Sequence, residues 1–161
     1  MDDFVSNYVN RLDSKGRVSI PAPYRQILAR EGTEGLFCSP SMDRAAVDAG
    51  GHGLRKAIDE YLEPFDVFTE EREILATALL GESESLKIDK DGRVVLSEKI
   101  KAHTGITDSV VFVGHGYKFQ IWQPEQYEAF KVEASKEAIA LRKSLSARRQ
   151  ALRQAGGGSA V

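Results

Sequence analysis

The chain has 161 residues, 42% hydrophobic and 29% charged, with 14 Gly, 5 Pro and a single Cys. That suits one ordinary domain or two small ones, with roughly 70% of the unfolded surface buried, and it excludes a disordered chain, a collagen-like repeat and a disulfide-built mini-protein. A net charge of −2, from 22 Lys+Arg against 24 Asp+Glu, argues against a uniformly basic nucleic-acid binder.

At the start, Met1-Asp2-Asp3-Phe4 is acidic and lacks the basic and apolar regions of a signal peptide. Ile74 to Leu80 and Val110 to Val113 are far short of the ~20 apolar residues of a membrane span. Cys38 has no partner for an intrachain disulfide, which fits a reducing compartment. The expectation is a cytoplasmic protein without membrane contact.

Leu12-Asp13-Ser14-Lys15-Gly16-Arg17-Val18-Ser19-Ile20 reads as two short strands around a turn. Asp opens the turn by accepting backbone N–H bonds, and Gly supplies the positive φ that closes it. The flanking aliphatics Leu12, Val18 and Ile20 then belong to a hairpin. Pro21 and Pro23 preset the first turn of a helix over Ala22 to Ala29, which Gly32 ends. Leu36-Phe37-Cys38 follows as a strand, with Cys38 read as a small buried hydrophobe. Arg44-Ala45-Ala46-Val47-Asp48 is a poor strand. Gly50-Gly51-His52-Gly53 reads as a flexible loop before a helix over Leu54 to Leu62. A further helix over Glu70 to Leu80 puts Ile74 with Ala78, and Leu75 with Leu79, on one face and links the halves.

At an offset of 76 residues the turn motif recurs as Ile88-Asp89-Lys90-Asp91-Gly92-Arg93-Val94-Val95-Leu96. Ser97 serves as N-cap of a helix over Glu98 to Thr104, closed by Gly105. Val110 to Val113 and Lys118 to Trp122 are strands joined through Gly114-His115-Gly116, with Trp122 read as core. Pro124 opens a helix running to about Gln154, on which Ala134, Ala138, Leu141, Leu145 and Leu152 are spaced for packing on its own domain or a neighbouring subunit. The copies imply two related units: residues 1–80 with the linker helix, and residues 81–154 with the C-terminal helix. Residues 155–161 form a loose tail.

Charge is unevenly spread. Residues 1–80 carry 9 basic and 14 acidic groups, a balance of −5, and residues 81–161 carry 13 and 10, a balance of +3. Arg11, Lys15, Arg17 and Arg25 cluster around the first turn against Asp13 alone. Arg142, Lys143, Arg148, Arg149 and Arg153 follow the last acid, Glu137. Arg17 and Arg93 sit four residues after an acid. In one reading the pairs Asp13–Arg17 and Asp89–Arg93 only brace the turns, each contributing about 0–1 kcal/mol. In the other, the Asp orients the guanidinium outward, and Lys15 and Arg11 complete a positive ridge on a ribbon that fits the DNA major groove.

These segments, together with Phe119-Gln120-Ile121-Trp122, closely resemble the MraZ family of bacterial regulators of the division and cell-wall gene cluster, from about Val9 to Phe130. The resemblance implies an α+β, mainly β fold. In it, two tandem AbrB-like repeats form a small swapped-hairpin-like barrel with short helices and a C-terminal helix. It also implies ring-shaped homo-oligomers and nucleoid-associated binding to short direct repeats in double-stranded promoter DNA, most simply as a repressor. Carried over by residue, it places Asp13, Lys15, Gly16 and Arg17 on the DNA-facing loop, and Asp89, Gly92 and Arg93 on its counterpart. The local charge argument adds Arg11 and Arg25. Asp91 stands where the first loop has Lys15, so the first repeat is expected to dominate contact with phosphate.

Other chemistry is thin. His52, His103 and His115 lack metal-type spacing, and with one Cys no zinc site is expected. Glu70, Glu71 and Glu73 suit a helix N-terminus rather than a catalytic dyad. Gly114-His115-Gly116 lacks the strand-to-helix setting of a phosphate loop. No cofactor and no enzymatic activity are expected. The rival readings are an AbrB-like ring acting as a protein-interaction scaffold and, more remotely, an enzyme holding an anionic substrate at the same ridge.

Overall fold

The computed structural model describes residues 3–158. They fall into two compact units, one through Pro124 and one from Glu125 onward. The first contains β1 (Asn7–Arg11), β2 (Arg17–Ser19), α1 (Ala22–Arg30), β3 (Gly35–Pro40), β4 (Ala46–Gly50), α2 (His52–Leu62) and α3 (Glu70–Ala76). A π-helical turn over Thr77–Gly81 leads into β5 (Glu84–Lys87), β6 (Arg93–Val95), α4 (Glu98–Thr104), β7 (Ser109–Gly114) and β8 (Phe119–Trp122). The second unit is a single helix, α5, which starts at Pro124 and runs to Gly158.

The local signals act as their chemistry requires. Pro21 and Pro23 start α1, which buries Tyr24, Ile27 and Leu28. The Ser97 hydroxyl accepts from the Ile100 N–H at 3.2 Å at the start of α4, and Gly105 ends it in the left-handed conformation. Thr69 caps α3 in the same way, accepting from the Arg72 N–H at 3.4 Å.

Strand pairing departs from the hairpin expectation. β1 and β2 do not pair with each other. β1 lies antiparallel to β7, and β2 lies antiparallel to β6. The Asp-x-x-Gly turn reverses the chain, but each strand leaving it finds its hydrogen-bond partner in the other repeat. The result is an α+β fold with a six-stranded antiparallel sheet, ordered β1-β7-β8-β4-β3-β5, and a two-stranded ribbon of β2 and β6. Exchanging the repeats leaves the six-strand order unchanged when read from the opposite edge. Both sheets take strands from both sides of residue 80, so the two repeats interlock.

The internal symmetry also resolves residues 43–53, where sequence gave no clear strand. β4 pairs with β8 and occupies the first repeat's version of that strand, with Asp48 opposite Gln120. Its residues are small because α2 follows closely: a Cβ on Gly50 would lie 3.1 Å from the Leu54 Cβ, and one on Gly51 would collide with the Glu31 carboxylate and the Thr33 hydroxyl. The Gly-rich stretch is thus a tight strand-to-helix junction, and α2 begins at His52 rather than Leu54.

The core lies between the ribbon, α1, α4 and the large sheet. It includes Val18, Ile20, Leu28, Leu36, Cys38, Val94, Leu96, Ile100, Phe112 and Ile121. Phe4, Tyr24 and Phe119 pack together at centroid distances of 4.8–5.2 Å, with Phe4 edge-on to the other two rings. Trp122 is buried, and its Nε1–H donates to the Gln120 Oε1 at 2.9 Å. Cys38 is fully buried in β3, and burial pushes its thiol pKa strongly up. A second cluster joins Leu54, Ile58 and Leu62 of α2 to Leu75 and Leu79. Ile74 of α3 is exposed, and the helix expected to run to Leu80 gives way to the π-helical turn after Ala76. α5 continues through residues 155–158, where a loose tail is expected from the sequence. The rest of that tail, residues 159–161, lies outside the described residues.

Candidate nucleic-acid interface

Each Asp-x-x-Gly-Arg loop is organised by its aspartate. The Asp13 Oδ1 accepts from the backbone N–H groups of Lys15 and Arg17, both at 2.9 Å. The Asp13 N–H donates to the Arg17 carbonyl at 2.8 Å, and the Gly16 N–H donates to the Asp13 carbonyl at 3.0 Å. Gly16 has φ +77°, a conformation that side-chain-bearing residues adopt only with strain. The second loop repeats this arrangement, with the Asp89 Oδ1 accepting from Asp91 and Arg93 at 2.9 Å and Gly92 at φ +78°.

The aspartate also fixes the arginine. The Arg17 Nε–H donates to the Asp13 Oδ2 at 2.7 Å. Among the described residues this is the only side-chain partner of Arg17, so both terminal nitrogens are left for an outside acceptor. The Asp13 carboxyl is held down at about 2, against the usual 3.8. The Arg17 backbone N–H is the main cause. Desolvation acts in the opposite direction, while the guanidinium and the Lys15 N–H add to the lowering. Asp13 is therefore charged under all ordinary conditions and holds a charged arginine beside it.

The second loop is more tightly committed. The Arg93 Nε–H donates to the Asp89 Oδ2 at 2.9 Å, and the Arg93 Nη2 meets the Asp91 Oδ2 at 3.1 Å. Asp91 thus neutralises the edge of the guanidinium that is free in Arg17. Arg25 belongs here as well, although sequence grouped it with the first basic cluster. Its Nη1 donates to the Asp91 carbonyl at 2.9 Å, and its side chain lies against Gly92. No atom comes within 4 Å of a Cβ built on Gly16, so the first loop is open where the second is covered.

The β2–β6 ribbon sets the spacing of the two loops. Arg17 is opposite Val95 and Ser19 is opposite Arg93, so the loops project from opposite ends of the ribbon. Val18 and Val94 point into the core, and Ser19 and Val95 are exposed on the outer face. Lys15 is exposed at the tip of the first loop, as is Lys90 in the second. Arg11 is exposed at the end of β1, opposite Ser109. Ser19, Lys90 and Val95 were missed by sequence reasoning. Their positions follow only once β2 is known to pair with β6, although the 76-residue offset was a signal for that pairing.

No cluster of three or more His, Cys, Asp or Glu able to hold a metal is present among the described residues. Among them, no helix is long and apolar enough to cross a membrane.

The profile of the family described as "MraZ protein, putative antitoxin-like" matches residues 79–149. The chain is 55% identical over 148 residues to "Transcriptional regulator MraZ" of Beijerinckia indica, covering 92% of this chain and 90% of that protein. A protein of the same name from Methylocella silvestris is 51% identical, with 94% and 92% covered. The one from Rickettsia canadensis is 38% identical, with 92% and 98% covered.

Proposed function

This chain belongs to the MraZ family, and on that premise we propose that it is a DNA-binding transcriptional regulator rather than an enzyme. It acts on promoter DNA in the cytoplasm, associated with the nucleoid. Its targets are division and cell-wall genes, which it represses by binding short direct repeats as a ring-shaped homo-oligomer.

The observation that carries this reading is the arrangement at Arg17. A carboxylate that stays ionised grips the guanidinium through Nε and leaves its two terminal nitrogens unpaired. That is the donor pair needed for bidentate contact with guanine O6 and N7 or with phosphate oxygens. Lys15 at the loop tip and Arg11 nearby supply further positive charge. The second loop carries the same fold with its arginine half neutralised by Asp91, which supports a smaller role for Asp89, Gly92 and Arg93. Arg25 acts there through the loop, by bracing Gly92 and the Asp91 carbonyl.

A single ridge of this kind on a chain of net charge −2 binds weakly. Several ridges in one ring, matched to repeated DNA boxes, raise avidity by roughly 10²–10⁴. The exposed apolar side chains of Val67 and Phe68, between α2 and α3, support self-association, with Phe68 at 92% exposure. The test is a footprint on the DNA upstream of the chain's own gene at two salt concentrations, with and without Arg17→Ala. Recovery of a stable protein complex with no protected DNA would instead favour a scaffold.

A further inference from the structure

Two exposed surfaces of the chain are opposite in charge and alike in carrying large apolar side chains. The first is the connection between α2 and α3, where Val67 and Phe68 face solvent. Around them stand Glu63, Asp66, Glu70, Glu71 and Glu73, all exposed, and Arg72 is the one base of residues 63–74, a balance of −4. Among the described residues none of these five carboxylates has an ion-pair partner. The second surface is the C-terminal part of α5, where every residue from 135 to 156 is exposed. Beyond Glu137 it carries Arg142, Lys143, Arg148, Arg149 and Arg153 and no acid, a balance of +5. Leu141, Leu145 and Leu152 lie four and seven residues apart, which puts them on one face. Arg148 and Arg149 each lie three or four residues from both Leu145 and Leu152, and Arg142 lies three before Leu145, so cations line both sides of the leucine stripe. Helices in proteins draw most of their stability from packing such a stripe against a partner.

We propose that the α2–α3 connection of one copy docks on the leucine stripe of α5 of the next copy, with Phe68 on the leucines and the flanking carboxylates on the arginines. Charge selects this occupant. The exposed Val9 and Val95 stand beside Arg11 and opposite Arg17, so those faces would repel the stripe. The α2–α3 connection joins exposed apolar side chains to an excess of acid, which is what the stripe and its arginines lack. A nucleic-acid backbone would engage the arginines but leave the leucines in water. Salt bridges at the rim of such a contact fix partner and register, and burial of Phe68 and the leucines supplies most of the affinity. The two surfaces differ from one another, so the contact is head-to-tail and needs no two-fold axis between copies. Repeated through a rotation that closes, a head-to-tail contact makes a ring. The inference rests on the ring-shaped self-association proposed above and assigns the surfaces that make it.

The test uses the full chain carrying Val67→Cys and Arg149→Cys together; both positions are exposed, and the native Cys38 is buried and does not interfere. Mild oxidation is expected to give a ladder of disulfide-linked multimers on a denaturing gel, at a yield at least tenfold above that of either single variant. A monomer closed by an internal disulfide, or a ladder no stronger than the single variants give, overturns the proposal. A second measurement exchanges the charges. Asp66→Arg with Glu73→Arg, and separately Arg148→Glu with Arg149→Glu, are each expected to lower the assembly mass by light scattering at least twofold, and all four changes in one chain to restore it. The recovery separates lost contact from lost folding. Wild-type mass in either pair, or no recovery when they are combined, overturns this contact while leaving the ring in place; a wild-type chain that is monomeric overturns both. Unchanged mass together with a loss of DNA binding in the Arg148→Glu, Arg149→Glu chain overturns it too, and assigns those arginines to phosphate.

Discussion

Val18 and Val94, 76 residues apart and equivalent in the internal repeat, face each other as Cα partners at the centre of the β2–β6 ribbon. Asp48 and Gln120 face each other in the same way between β4 and β8, where the Gln120 Nε2–H donates to the Asp48 Oδ1 at 2.9 Å. An approximate two-fold axis therefore runs through both pairs. It carries the two arginine loops to opposite ends of one ribbon, and makes each repeat depend on the other for its hydrogen-bond partners.

Titration of Asp13 follows from its hydrogen bonds. Its folded-state pKa is depressed to about 2, so its stabilising contribution is fully present above the unfolded value, near 4. That contribution is lost as pH falls through about 2. Carboxyl NMR should show a midpoint near 2 for Asp13, with the Arg17 Nε–H signal broadening in the same window. Asp13→Asn should remove that coupling and weaken DNA binding at neutral pH, where Asp13 of the wild type stays charged.

The two loop glycines should differ in tolerance. Gly16→Ala meets no neighbouring atom and bears only the cost of a left-handed alanine, about 1 kcal/mol. Gly92→Ala also collides with Arg25 and breaks its bond to the Asp91 carbonyl, for a total of about 2 kcal/mol. Urea unfolding should resolve the difference, and in an Arg25→Ala background the gap should close.

Much of the local structure was legible from residues alone. Proline at the start of α1, Ser97 at the start of α4 and Gly105 at its end each act through a neighbour a few positions away. The Asp13 and Asp89 turns were readable for the same reason. Strand pairing was not, because a reversal marked by Asp-x-x-Gly looks the same whether the strands fold back on each other or cross to the other repeat. β4 was hidden because Ala49 and Gly50, small enough to admit α2, carry little strand propensity. Arg25 lies close in sequence to the first loop yet serves the second, since α1 leads from β2 toward the loop before β6. These are tertiary facts, hinted at by the 76-residue repeat and by the swapped-hairpin-like fold that the family resemblance implies.

Self-association through Phe68, as proposed, predicts that Phe68→Asp shifts the assembly to smaller species by light scattering. Because Phe68 is 92% exposed, the melting temperature of the dissociated chain should stay within a few degrees of a Phe68→Ser control. Retention of full mass would place the self-contact elsewhere.

Whether Arg17 reaches into DNA, as proposed, is tested most directly by the affinity of the full protein for the DNA upstream of its own gene at two salt concentrations. Wild-type binding should weaken steeply with salt, in proportion to the phosphates neutralised. Arg17→Ala should lose about 1–3 kcal/mol per loop, with relaxed sequence preference if the contact is to a base, and Arg93→Ala should lose less. Arg17→Ala binding with wild-type affinity and specificity, in a protein of unchanged mass and fold, would contradict the account.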